Sequence, residues 1–150
     1  MEKIKFKIDH IDPLGQGISK REDQVAFIEK TLPGELGNVS AYKSKKKGRL
    51  VFSRLDHPSL LEVSSEKRIK AECPHYNDCS GCHFLHTDYE TEIEFKRNTI
   101  ERLFNSFEQL ETKPQVICAT ERFEYRNRVQ LHYDKETKSL GFVDGLKNKI

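Results

Sequence analysis

The chain has 150 residues, of which 35% are hydrophobic and 33% are charged, and its formal net charge is +2. This length fits one domain or two small modules, and the low apolar content allows only a modest core. No apolar run approaches the length of a membrane span, and the N-terminal segment lacks the apolar stretch of a signal peptide. We therefore expect a cytoplasmic monomer that does not enter membranes.

The N-terminal part of the chain, residues 1–60, reads as a series of short strands. In "KIKFKID" apolar and lysine residues alternate, which is the period of a half-buried strand. The turn-forming stretches "DPLGQGIS" and "LPGELGN" flank a second strand, "QVAFIEK". Two further strands bend around Lys47 and Gly48 in "VSAYKSKKKGRLVFSRL". Short strands at this spacing predict a closed five-stranded barrel of the OB type, a fold that commonly binds oligonucleotides.

Basic residues concentrate in the last two of these strands, in the stretch "YKSKKKGRLVFSR", which contains no acidic residue. Clustered Lys and Arg bind phosphates by releasing counterions, so the cluster predicts a nucleic-acid surface. A solvated, self-repelling loop is the alternative interpretation. Arg126 and Arg128 are further candidates, although they could equally form a solvated or ion-paired strand edge. The candidate RNA ligands are Lys43, Lys45, Lys46, Lys47, Arg49, Arg54, Arg126 and Arg128.

Residues 61–86 form a linker and a cysteine-rich segment with Cys73, Cys79 and Cys82 in close spacing. In a reducing cytosol such a cluster is more often a metal site than a disulfide framework, and soft thiolates select zinc or iron-sulfur clusters. Gly81 is expected to permit a positive φ and a close approach of the sulfurs. A zinc site made of the three cysteines and His86 remains open. With a cluster instead of zinc, His86 is expected to be a surface or capping histidine.

Residues 87–150 are predicted to hold one helix followed by the start of a β-rich domain. The helix is expected from Asp88 to Leu110, with Thr87 and Glu90 in the spacing of a capping box.

Beyond the helix, apolar alternation predicts strands around residues 116–118 and 129–133, with Cys118 as a buried, inert thiol. Residues 135–138 are predicted to form a hairpin turn, and Asp144 with Gly145 a further turn.

Two motifs together carry a family resemblance. The first is the pattern F-x-x-x-x-L-P-G-E, matched by Phe27, Leu32, Pro33, Gly34 and Glu35. The second is a cysteine run close to C-P-x-x-x-x-C-G-G-C-x-x-Q-H-x-x-Y-x-x-Q-L-x-x-K, matched by Cys73, Pro74, Cys79, Gly81, Cys82, His86, Tyr89 and Lys96. Ser80, Leu85, Glu92 and Ile93 depart from it without removing a cysteine. The chain resembles the TRAM domain and iron-sulfur segment of the RNA (uracil-5-)-methyltransferases of the 23S rRNA type.

This resemblance implies a TRAM domain that binds ribosomal RNA and a four-iron four-sulfur cluster held by Cys73, Cys79 and Cys82. In the family the fourth ligand is a later cysteine, which would lie beyond Ile150, so the chain is expected to be a piece of a longer protein. A substitute role for Cys118 or an incomplete cluster are the other options. The family's S-adenosylmethionine site, nucleophilic cysteine and general base belong to a domain that these residues do not contain, so no catalytic residue is assigned. The alternative is a free-standing zinc- or cluster-containing RNA-binding module without enzymatic activity.

Overall fold

The computed structural model of the chain describes residues 3–107 and 115–143. Within these residues the backbone forms ten β-strands, one α-helix and one short 3-10 helix. Their bounds are β1 Lys3–Lys7, β2 His10–Ile11, β3 Gln16–Lys20, β4 Val25–Glu29, β5 Leu36–Ser40, β6 Lys43–Lys45, β7 Leu50–Arg54, the 3-10 helix Pro58–Leu60, β8 Leu61–Val63, α1 Tyr89–Phe104, β9 His132–Asp134 and β10 Ser139–Gly141. The described chain is therefore mainly β with one helix, as predicted.

The first eight strands form two sheets and not the predicted closed barrel. One sheet has five strands in the order β2-β3-β4-β7-β6, and the other has three in the order β1-β5-β8. All neighbouring strands are antiparallel except β4 and β7, which run parallel. Only two residues, 41 and 42, separate β5 in one sheet from β6 in the other. The chain changes sheet at this point. Among the described residues, no strand of one sheet pairs with a strand of the other.

The hydrophobic core lies between these two sheets. The alternation in β1 is confirmed, because Ile4 and Phe6 are buried while the intervening lysines are exposed. The side chains of the core come from β1, β4, β5, β7 and the residues that follow β1 and β7: Ile4, Phe6, Ile8, Ala26, Ile28, Val39, Val51 and Leu55. Strands β1, β4 and β5 thus each give one face to the core.

The helix α1 begins one residue later than its predicted capping box. Asp88 is the N-cap, and its carboxylate accepts a hydrogen bond from the Thr91 amide at 2.7 Å. Thr87 is buried, and its hydroxyl donates to the Lys67 carbonyl at 3.0 Å, so it is not available as the cap. The helix ends at Phe104 with Asn105 as its C-cap, so the predicted continuation to Leu110 is wrong over the described residues 105–107, and Leu110 itself lies outside them. In the described part of the chain, no helix combines the length and the hydrophobicity needed to cross a bilayer.

The C-terminal region contains less strand than the sequence predicts. The hairpin is confirmed, because β9 pairs with β10 in antiparallel register from Asp134 and Ser139 outward. The predicted strand at 116–118 is wrong, and of the one predicted at 129–133 only the last two residues are extended, in β9. Cys118 is exposed and not buried. Alternation of apolar residues yields a strand only where a partner strand completes the ladder. The predicted Asp144–Gly145 turn lies outside the described residues.

Candidate metal-binding loop and nucleic-acid surface

The cysteine-rich loop, residues 73–86, is fastened to the five-stranded sheet by a buried lysine. Lys30 follows β4 directly, has a φ of 64° and is 2% exposed. Its ammonium donates to the Cys79 carbonyl at 2.8 Å, to the Asn77 carbonyl at 3.2 Å and to the Tyr76 carbonyl. The ammonium also lies 4.6 Å from the centre of the Tyr76 ring. The Lys30 side chain therefore holds the loop backbone at two residues between Cys73 and Cys79 and at Cys79 itself.

Arg54 forms a second attachment and does not face solvent. It is 1% exposed, its Nε donates to a Glu29 oxygen at 3.1 Å, and one terminal nitrogen donates to the Asp78 carbonyl at 3.3 Å. Such burial is inconsistent with the predicted role of Arg54 as an RNA ligand. The end of strand β7 instead holds the cysteine-rich loop.

His86, the last residue of the cysteine-rich loop, is buried, so the expectation of a surface or capping histidine is wrong. The side chain is 2% exposed, with Nδ1 2.5 Å from the Tyr76 hydroxyl and Nε2 3.4 Å from the Thr31 carbonyl oxygen. Burial, and then the positive charge of Arg68, lower the pKa of His86 to about 3. Because both ring nitrogens face protein partners, His86 is poorly placed to complete a Cys3His zinc site.

The three cysteines of the loop are free thiols that lie within electrostatic reach of one another. Cys73 and Cys82 are exposed and Cys79 is half-buried. Partial burial raises the pKa of Cys82, and the nearby thiols of Cys79 and Cys73 raise it further, while Arg126 and Lys30 act in the opposite direction. Their donor chemistry suits a soft metal.

Their geometry, however, is not that of a finished metal site. Among residues 3–107 and 115–143, no three His, Cys, Asp or Glu side chains form a group arranged to hold a metal ion. Gly81 does not adopt the expected positive φ. The Gly81 amide donates to the Cys79 sulfur at 3.2 Å, but this contact is not the expected close approach of the three sulfurs. The sulfurs would have to draw together around a bound metal.

The predicted basic surface is a hairpin at the edge of the five-stranded sheet. Strand β6 is the outermost strand, and the chain turns back into β7 through Lys46, Lys47 and Gly48, all with positive φ. The exposed cations of this hairpin are Lys43, Lys45, Lys46, Lys47 and Arg49. Lysines also keep an edge strand from pairing with another sheet, so the exposure of these lysines does not by itself show that they bind nucleic acid. Arg126 and Arg128 are exposed too, but in an irregular segment and not on the strand that was predicted.

Two further ion pairs were missed by the sequence analysis. Glu35 is 0% exposed and binds Arg68 through two contacts, Nε to Oε1 at 2.5 Å and a terminal nitrogen to Oε2 at 2.7 Å. Arg122 pairs with Glu92 and donates to the carbonyls of residues 84 and 87 at 2.9 Å each. The only sequence signal for either pair is the L-P-G-E motif that contains Glu35.

Comparisons with known proteins place the chain beside RNA methyltransferases, although a scan against protein-family models found no match. The chain is 35% identical over 149 residues to the 23S rRNA (uracil(1939)-C(5))-methyltransferase RlmD of Shewanella halifaxensis, covering 93% of this chain and 32% of that protein. It is 30% identical over 145 residues to an RNA methyltransferase of Listeria monocytogenes named lmo1751, covering 96% of this chain and 29% of that protein. The chain thus spans about a third of the length of the curated relatives it matches.

A solved structure has a similar fold. The tRNA (uracil-54, C5)-methyltransferase of Pyrococcus abyssi, solved in complex with S-adenosyl-L-homocysteine, superimposes with a TM-score of 0.61 and covers 94% of this chain and 29% of that one. At 23% identity this likeness concerns the fold alone.

Proposed function

We propose that this chain is the RNA-gripping and iron-sulfur portion of an S-adenosylmethionine-dependent RNA (uracil-C5)-methyltransferase that acts on ribosomal RNA. The observation that carries the proposal is 35% identity, over 93% of the chain, to a 23S rRNA uracil-C5 methyltransferase. The exposed basic hairpin and the thiol-bearing loop supply two of the parts that such an enzyme portion needs. Methyl transfer and S-adenosylmethionine binding belong, on this proposal, to a domain outside the 150 residues.

Three regions take separate roles in this proposal. Residues 1–60 are an OB-like TRAM domain that binds RNA, residues 61–86 carry the metal, and residues 87–150 begin a central domain. The free-standing module without enzymatic activity is less favoured, because each compared relative is named as a methyltransferase and is about three times as long as this chain.

The RNA role is tested by removing charge from the basic hairpin. A combined Lys45→Ala, Lys46→Ala and Lys47→Ala variant should bind 23S rRNA fragments more weakly, because fewer phosphate contacts release fewer counterions when the RNA binds. The slope of log Kd against log salt should fall by about 2 to 3 if all three lysines contact phosphate. Fluorescence anisotropy across a salt series measures both quantities.

The matched control places the same charge change on the other sheet. Lys3, Lys5 and Lys7 are exposed on β1, and alanine at all three removes the same formal charge. If this control lowers the affinity and the slope as much as the hairpin variant does, the hairpin is not the docking surface. If the unaltered chain binds no RNA at all, the RNA-gripping role itself is rejected.

The metal role concerns Cys73, Cys79 and Cys82, which we propose as three ligands of a four-iron four-sulfur cluster, with the fourth from outside these residues. Protein prepared without oxygen should contain iron and acid-labile sulfide in comparable amounts and be brown. Cys79→Ser should lose both, while Cys118→Ser should keep them, since Cys118 is exposed in another region. One equivalent of zinc without sulfide would reject the cluster in favour of the zinc alternative.

A further inference from the structure

The outer face of the five-stranded sheet carries a stacked pair of aromatic rings. Phe27 on β4 and Phe52 on β7 are directly paired in the parallel register. Their ring centres are 5.1 Å apart and their planes differ by 13°. Both side chains are only half-buried. The neighbouring residues of β4, Ala26 and Ile28, face the core on the other side of the sheet, so this pair is not needed to fill it.

Cations lie along the β6 side of this aromatic pair. On the β6 side, Lys43 is the register partner of Phe52, and the Lys45 ammonium lies 5.6 Å from the centre of the Phe52 ring. On the β3 side, the register partner of Phe27 is Ile18, which is 4% exposed, and the exposed Lys20 lies further along the strand, opposite Val25. The acidic group on the same face of β4, Glu29, is already paired with Arg54. The open part of the face is therefore aromatic in the middle and positive on its β6 side and at the end of β3.

We infer that Phe27 and Phe52 form a platform on which an unpaired RNA base stacks while the flanking lysines bind its phosphates. Proteins that bind single-stranded nucleic acid combine a positive groove with exposed aromatic rings in this manner, because every base has a π-face. A protein partner would be expected to bring apolar side chains into a larger, less charged patch. The inference rests on the proposed function, which supplies RNA as the partner.

The platform lies beside the cysteine-rich loop. Glu29 and Arg54 stand two residues beyond Phe27 and Phe52 on the same strands and pair with each other, and Arg54 donates to the Asp78 carbonyl of that loop. Two residues of a strand span about 7 Å, roughly the spacing of neighbouring nucleotides in an extended chain. A base on the platform would thus place its neighbour at the loop.

The experiment measures affinity and stacking separately. The probe is a short unstructured RNA oligonucleotide with one 2-aminopurine, whose fluorescence is quenched when it stacks. The variant Phe27→Leu with Phe52→Leu keeps apolar side chains on the sheet but removes both π-faces. We expect its affinity to fall roughly 5- to 100-fold, the range that stacking on aromatic side chains provides. The quenching should disappear, while the salt slope stays unchanged because no charge is removed.

Two companion variants keep the outcome interpretable. Phe52→Tyr retains a flat ring and should retain both affinity and quenching. Phe107→Leu removes a phenylalanine that is 58% exposed beyond the helix, and it should change neither quantity. Circular dichroism establishes whether the double leucine variant is folded. If it is not, the unaltered chain and Phe52→Tyr still decide the matter through quenching alone.

The results separate the platform from the wider RNA role. Unaltered affinity and quenching in the folded double leucine variant, or no quenching by the unaltered chain when it binds, overturn the platform and leave the RNA role standing. No RNA binding by the unaltered chain overturns the proposed function. A concentration-dependent mass in sedimentation that the leucines abolish, with RNA binding unchanged, would assign the face to a second copy of the chain and also overturn the platform.

Discussion

The buried pair of Glu35 and Arg68 makes the sharpest stability prediction, because it joins the β unit to the linker before the cysteine-rich loop. The Glu35 carboxylate accepts four hydrogen bonds, from the Leu32 amide at 2.9 Å, the Ser65 amide at 3.3 Å and two Arg68 nitrogens at 2.5 and 2.7 Å. The side chain of Arg68 is 9% exposed and that of Glu35 is 0% exposed. Neither charge can turn to water when its partner is lost.

We expect Glu35→Gln to lower the free energy of unfolding by about 3 to 5 kcal/mol, the cost of leaving one member of a buried ion pair uncompensated. The amide keeps one accepting oxygen but directs an NH2 group at donors on its other side. With a typical urea dependence, the midpoint of urea unfolding should fall by about 1 to 3 M. Urea titration followed by circular dichroism at neutral pH, under reducing conditions, measures this shift.

Two variants test the physical reason for this loss. Glu94→Gln removes one charge from the pair with Lys67, whose side chains are 50% and 46% exposed, and it should cost less than about 1 kcal/mol. Adding Arg68→Met to Glu35→Gln removes the stranded guanidinium, so the double variant should be more stable than Glu35→Gln alone. Strictly additive losses, or equal effects of the Glu35 and Glu94 changes, would refute the reasoning.

Three further predictions concern the attachment of the cysteine-rich loop. Lys30→Met keeps the side-chain length but removes the donor to the loop carbonyls. Amide hydrogen exchange measured by mass spectrometry should therefore speed up about tenfold or more at residues 73–86 and stay unchanged in β1. The control Lys20→Met should alter neither region, and an unaltered loop in Lys30→Met would contradict the role given to Lys30. His86 has a folded pKa of about 3, below its unfolded value near 6.5, so its contribution to stability is complete above pH 6.5. This contribution is lost as the pH falls towards 3, by up to about 1.4 kcal/mol per pH unit. Urea titrations at several pH values should show that His86→Gln lacks this pH dependence and that His132→Gln keeps it. Gly15 and Gly48 have similar φ values of 80° and 85°, but only at Gly15 would a Cβ meet neighbours, at 3.0 Å in His83 and Phe84; thermal unfolding should therefore show a larger loss for Gly15→Ala than for Gly48→Ala, and equal losses would show that backbone strain alone is responsible.

Local patterns in the sequence were sufficient to predict strand β1, the β9–β10 hairpin and the start of the helix, but not β3, which begins in a stretch predicted as a turn. In β1 the alternation of lysine with Ile4 and Phe6 matches the exposed and buried faces, because successive side chains of a strand point to opposite faces of the sheet. The β9–β10 hairpin was predicted instead from the turn-forming residues between its strands. At residues 116–118 the pattern failed, since a strand also needs a partner and in the described residues none runs beside that stretch.

Buried charged residues could not be predicted from local patterns, because their partners are distant in the sequence. The contact between Lys30 and Cys79 spans 49 positions, and that between Glu35 and Arg68 spans 33. Read alone, each of these residues suggests a solvated surface, and Arg54 was assigned to the RNA surface because it lies in a basic stretch without acidic residues. Only the tertiary fold supplies the carbonyl and carboxylate groups that offset the desolvation cost of burying these charges.

Strand β4 links these attachments to the proposed RNA surface. Its outward residues are Val25, Phe27, in the aromatic pair, and Glu29, whose partner Arg54 holds the loop at Asp78. Directly after the strand, Lys30 binds the loop carbonyls, and Thr31 faces His86. A site built on a strand is held more precisely than one on a loop, because the ladder fixes the spacing of its side chains. The loop itself has no regular secondary structure, so the geometry it presents to RNA or to a metal is set mainly by what β4 and β7 hold in place.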